Sequence, residues 1–151
     1  VSDDIPEPAT LTHLKDNFTN SCWGQRTTTM VELPFDVSLG SVVINGRIDA
    51  VFQDDDDHYT VVDWKTGKVP TNEKDRMTKA LQLAVYRIAF QRIINVQRAE
   101  KGQPPLPLEN IRAAFYYVAH DDTLWLDELA DAAELEKLIT GLTASTDMEK
   151  Q

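Results

Sequence analysis

The sequence predicts an α/β domain in which a mixed β-sheet, an antiparallel meander plus one strand after a long crossover helix, is flanked by helices. Three observations predict it. Residues 30–65 contain three runs of strand-like apolar patterning separated by turn residues. Residues 73–100 carry apolar groups at helical spacing over a length no strand reaches. Residues 111–119, IRAAFYYVA, form a further apolar run, and strand, helix, strand is the connection that parallel pairing requires.

Residues 1–28 read as a polar, partly helical lead-in, broken by Pro6 and Pro8, with a short helix suggested by Leu11, Leu14 and Phe18. The chain starts at Val1, and a truncated domain start is expected there. Residues 30–39 alternate Val31, Leu33, Phe35, Val37 and Leu39 on one face, a period-two strand. Gly40-Ser41 turns the chain into a second strand, 42–53, and Asp54 to Asp57 form an acidic tip before a third, 58–65. The long helix is expected to be capped by Asn72 and stopped by Gly102, Pro104 and Pro105. Its apolar stripe is read as Met77, Leu81, Ala84, Val85, Ile88 and Ala89. A last amphipathic helix is expected over 127–142, leaving 143–151 as a tail.

Composition narrows the function. A hydrophobic fraction of 42% supports a core, and no run of the sequence is apolar for long enough to span a membrane. Cys22 is the sole cysteine, which excludes an internal disulfide or a four-cysteine metal site within this chain; it is expected to be at least half-buried. The net charge of −10 is unfavourable for nucleic acid, but it is unevenly spread. Residues 65–101 hold nine basic groups against three acidic ones, whereas 121–136 hold seven acids and no base, expected to form one solvated helix face.

The chemistry concentrates in three segments: Gly46-Arg47-Ile48-Asp49, Asp63-Trp64-Lys65-Thr66-Gly67 and Gln82-Leu83-Ala84-Val85-Tyr86. Asp63 and Lys65, two apart on a strand, leave the same face. If Asp54 pairs with His58 at the tip, Val51 falls opposite Val61 and Asp49 opposite Asp63. Two facing carboxylates repel unless a cation or proton intervenes, and oxygen ligands suit a hard ion, Mg²⁺ or Mn²⁺. The backbone carbonyl of Trp64 is a further candidate ligand. Lys65 would orient the attacking water or neutralise charge on a phosphoryl oxygen. Gln82 and Tyr86, one helical turn apart, would hold Lys65, a water or a phosphate. Plainer readings stand beside these. The two aspartates could cap loops, Lys65 could guard a sheet edge, and Tyr86 could be core with its hydroxyl at the rim. Asp54 to Asp57 lack calcium-loop spacing and read as a solvated tip. Trp64 faces away from Asp63 and reads as core, and His58 and His120 as surface residues.

GRIDAVF, YTVVDWKTG and QLAVYRIAF, in that order, resemble the RecB-like branch of the PD-(D/E)xK nuclease superfamily, as found at the C-termini of bacterial UvrD/Rep-type helicases and in AddAB, RecBCD and AdnAB systems. The resemblance covers roughly residues 30–120. It implies a restriction-endonuclease-like fold, Asp49 and Asp63 as metal ligands, Lys65 as the catalytic lysine, and Gln82 and Tyr86 as supporting residues. It also implies a Mg²⁺- or Mn²⁺-dependent deoxyribonuclease of exonuclease type, acting on single-stranded DNA ends in recombination or repair. Helicase motor domains in the same chain or complex would be its partners, in a bacterial, nucleoid-associated cytoplasmic setting. The alternative is a catalytically inactive nuclease-like module of a helicase, which guides DNA or serves assembly without cutting. Many relatives carry a metal-binding histidine upstream of the first strand. His13 lacks the usual surroundings and is not assigned that role, and Glu32 is expected to support the site without binding the ion.

Overall fold

In the computed structural model, residues 8–126 and 128–150 are described, with side chains for 11–126 and 128–141. Helix α1 (Pro8–Asn20) precedes three strands, β1 (Met30–Leu39), β2 (Val42–Asp55) and β3 (His58–Lys65). Helix α2 (Glu73–Glu100) crosses to β4 (Ile111–Tyr117), followed by the short strand β5 (Asp122–Trp125) and helix α3 (Ala132–Lys150). The strands lie in sequence order in one sheet; β3 and β4 are parallel and the other pairs antiparallel. Parallel pairing of β3 and β4 needs a long crossover, and α2 supplies it with 28 residues that return the chain across the sheet. Asn72 caps α2 as its sequence predicts, its side-chain oxygen accepting from the Asp75 amide at 2.8 Å. Among the described residues no helix is long and apolar enough to cross a membrane.

The sheet is covered on both faces. On one face, α2 and α3 enclose Phe35, Val61, Leu83, Ile88, Phe115 and Leu135. On the other, α1 and the turn after it bring Leu14 and Trp23 onto Phe52, Val62 and Tyr116. Each large apolar side chain fully buried in these layers stabilises the fold by roughly 1.5–3 kcal/mol.

Several local expectations change. Val31 is 60% exposed and does not share the inward face of Phe35; Met30 packs on that core instead. Glu32 between Val31 and Leu33 is left-handed (φ 47°), which rotates the start of β1 and exchanges its faces. Along α2 the buried row is Leu83, Ala84, Ile88, Ala89, Phe90 and Ile94, while Met77 and Leu81 are exposed. The helix is turned so that Lys79 meets the Phe115 ring of β4 and Tyr86 the Phe35 ring of β1. Cys22 is exposed, because Ser21 and Trp23 take the inward positions of that turn. The strand expected over 111–119 ends at Tyr117 in a turn of 3-10 helix, Val118–His120. The acidic run is no single helix face: Asp122 lies in β5 and α3 begins only at Ala132. Asp127, the expected start of that helix, lies outside the described residues.

Gly46 has a steric role. It pairs with Phe35, whose ring lies over it, and a Cβ there would meet ring atom Cζ at 2.5 Å. Phe35 is held in turn by the Tyr86 ring, 5.7 Å away edge-on. Gly46→Ala is therefore expected to lose about 1–3 kcal/mol through overpacking, read as a lower urea midpoint at unchanged slope.

Candidate active site

Asp49, Asp63 and Lys65 meet where β2 parts from β3. The antiparallel ladder runs from Gln53↔Tyr59 to Ala50↔Val62 and ends there, while β3 stays paired with β4 as far as Lys65↔Tyr117. Val51 does stand opposite Val61, as the sequence predicts, but the tip differs. His58 pairs with Asp55, and an irregularity between Gln53 and Asp55 absorbs the extra residue. Asp54 turns aside, accepting from Thr60 Oγ1 at 2.6 Å and Arg26 Nη2 at 2.9 Å.

Beyond the ladder, a side chain replaces the backbone partner. Asp49 Oδ2 accepts from the Trp64 amide at 2.7 Å. In a hydrogen-bonded antiparallel pair, the N–H and C=O of one residue leave the strand on the same side. The Trp64 carbonyl therefore faces the same gap between β2 and β3. The Trp64 ring lies on the opposite face from Asp63, against Phe18, Phe52 and Tyr116.

Asp63 is 1% exposed, and its Oδ2 lies 2.9 Å from Lys65 Nζ. That contact is an ion pair off the hydrogen-bond axis, so Oδ2 is buried without an aligned donor. Buried polar atoms of this kind are rare in folded proteins. Asp49 carries the electrostatic strain. Burial, a proton-sharing contact with Asp63 and the charge of Asp63 push its pKa up to about 7, against the opposing Trp64 amide. Burial pulls Lys65 down, but the close carboxylate of Asp63 outweighs it, so the ammonium titrates above the usual lysine range. Lys65 Nζ also sits 5.2 Å from the centre of the Phe115 ring.

These residues fit a hard divalent cation. The donors are all oxygen, one of them lacks an aligned donor, and two carboxylates are so close that one favours its protonated form. Among the described residues no group of three His, Cys, Asp or Glu side chains converges. Glu32 and His13 therefore do not complete such a set; His13 bonds Asn17 on exposed α1. Two carboxylates suffice for Mg²⁺, which keeps several waters and takes substrate oxygens.

Gln82 Nε2 donates to the Tyr86 hydroxyl at 2.9 Å, so Gln82 holds Tyr86 directly. Burial, then the charge of Asp63, raises the Tyr86 pKa, and Lys65 and Asp49 also act on it, which puts its phenol within the field of the site. Three neighbours escaped the sequence reading. Phe115 and Tyr117 flank Asp63 and Lys65 on the parallel strand, and the Tyr117 hydroxyl is buried without a partner. Lys79 lies 5.7 Å from the Phe115 ring centre. Its spacing, three before Gln82, was the available signal; the parallel register had none, because a long crossover leaves it free.

A family model described as PD-(D/E)XK nuclease superfamily matches residues 9–148. No curated protein matches the chain. The five-stranded mixed sheet with flanking helices is the restriction-endonuclease-like α/β fold of that family.

Proposed function

The chain belongs to the PD-(D/E)XK nuclease superfamily, and from that premise we propose that it is a metal-dependent deoxyribonuclease centred on Asp49, Asp63 and Lys65. The observation that carries the reading is the convergence of two carboxylates with a lysine 2.9 Å from the buried one. Asp49, Asp63 and the Trp64 carbonyl would hold Mg²⁺ or Mn²⁺. When bound, such an ion lowers the pKa of water and offsets charge on a phosphoryl oxygen.

The reaction would be attack of a water oxygen on phosphorus with cleavage of the bond to the leaving sugar oxygen, the attacking water giving its proton to solvent and the leaving oxygen taking one from solvent. Lys65 stays protonated through its ion pair with Asp63, so it acts as a charge and hydrogen-bond donor to the phosphoryl oxygens and not as a base. Gln82 fixes the Tyr86 hydroxyl at the rim, where it orients substrate. Single-stranded ends as substrate, exonuclease action, a role in recombination or repair and a helicase motor as partner are supported by the sequence resemblance. The basic bias of 65–101, which includes Lys65 and Lys79, suits an approaching phosphate chain.

End-labelled single- and double-stranded DNA incubated with the chain and Mn²⁺ tests this. Wild type should shorten the single strand from its ends, chelator should stop it, and Asp63→Asn should be inert. A wild type as inert as Asp63→Asn would make the domain a DNA-guiding or assembly module instead, and cutting by Asp63→Asn equal to wild type would overturn the role of Asp63.

A further inference from the structure

Lys79 precedes Gln82 by three positions and Tyr86 by seven, so all three share one face of α2. Its Nζ approaches the same Phe115 ring as Lys65 Nζ, at 5.7 Å and 5.2 Å from the ring centre. Phe115 is the strand partner of Asp63. Two ammonium groups, one from the strand and one from the helix, thus stand over one aromatic ring beside the buried aspartate. Their situations differ. Lys65 is paired with Asp63, whereas none of the ion pairs among the described residues includes Lys79. The acid one turn before it, Asp75, is occupied by the Asn72 cap. Lys79 is also half-buried. A half-buried ammonium beside the site, in no ion pair among the described residues, can receive an external anion.

We infer that Lys79 binds a non-bridging oxygen of the DNA phosphate next to the scissile one, holding the strand beside the end of β3 while Lys65 faces the reacting phosphorus. This rests on the nuclease reading above. Lys79 is a positioning residue, because the phosphate it holds is not the one that reacts. Its loss should weaken binding of every sequence alike and leave the chemical step nearly intact.

The test is binding of a fluorescein-labelled oligothymidylate, measured by anisotropy in Ca²⁺ over a salt series, for wild type, Lys79→Ala and Lys79→Arg. Lys79→Ala should bind about 5- to 10-fold more weakly and lower the slope of log K against log salt by about 0.7. Lys79→Arg should keep both. In Mn²⁺, KM should rise for Lys79→Ala with kcat within about threefold of wild type, and the melting temperature should not move. An unchanged affinity and salt slope for Lys79→Ala, with wild type binding and cutting, overturns the role of Lys79 alone. Failure of wild type itself to bind or cut overturns the nuclease reading and this inference with it.

Discussion

Lys65→Ala is expected to lower kcat for DNA cleavage by about 10²–10³-fold, the loss typical of removing one donor aimed at a developing oxyanion. KM should change little, because the lysine acts mainly where charge accumulates in the transition state. The same change should destabilise the protein. It leaves Asp63, 1% exposed, as a buried carboxylate beside Asp49 with no counter-charge. Breaking a buried pair from one side costs about 3–5 kcal/mol, and protonation of the carboxyl reduces that figure. Lys65 titrates above the ordinary lysine range when folded, so the stability from its pairing is fully present below about pH 10 and is lost only as pH rises through the folded value. Urea unfolding at pH 8 should place the double variant Asp63→Asn/Lys65→Ala closer to wild type than the two single losses combined.

Asp49→Asn should separate stability from activity. With a folded pKa of about 7, well above that of an unfolded aspartate, Asp49 favours the folded state fully only below about pH 4. That contribution is lost as pH rises through about 7. Without divalent metal at pH 8, Asp49→Asn should therefore melt higher than wild type, by about 2–4 °C for each kcal/mol of relieved repulsion. The difference should vanish near pH 4. The Trp64 amide at 2.7 Å can still be met by the asparagine oxygen, so the local backbone should hold. Adding Mn²⁺ should raise the melting temperature of wild type and not of Asp49→Asn, and the variant should not cut DNA. A variant that melts lower than wild type at pH 8 without metal would show that the two carboxyls do not repel as described.

The strand that carries Asp63 and Lys65 was legible because its geometry is local. Parity alone puts Asp63 and Lys65 on one face. Hairpin arithmetic put Asp49 beside them, although through a tip pairing that proved wrong. The residue displaced at Asp55 and His58 is absorbed before Gln53, so the register nearer the site survives. Elements fixed by distant contacts were not legible. β5 is four residues long and lies in an acidic run. It is held by the Trp23 indole bonding Thr123 at 3.0 Å and by Arg112 over the Trp125 ring at 4.0 Å. The start of α3 did carry a signal, an Asp131-x-x-Glu134 capping box. The Glu134 amide donates to Asp131 at 2.9 Å, and the Asp131 amide to Glu134 at 3.4 Å. Apolar spacing from Leu129 obscured it. The face exchange at Glu32 was invisible because glutamate seldom adopts a left-handed backbone.

Anomalous diffraction from crystals of the chain soaked in Mn²⁺ addresses the central claim most directly. A peak about 2.1 Å from carboxylate oxygens of both Asp49 and Asp63 is the predicted result. Saturating Mn²⁺ with no peak between these two side chains, or a peak held by only one of them, would contradict it.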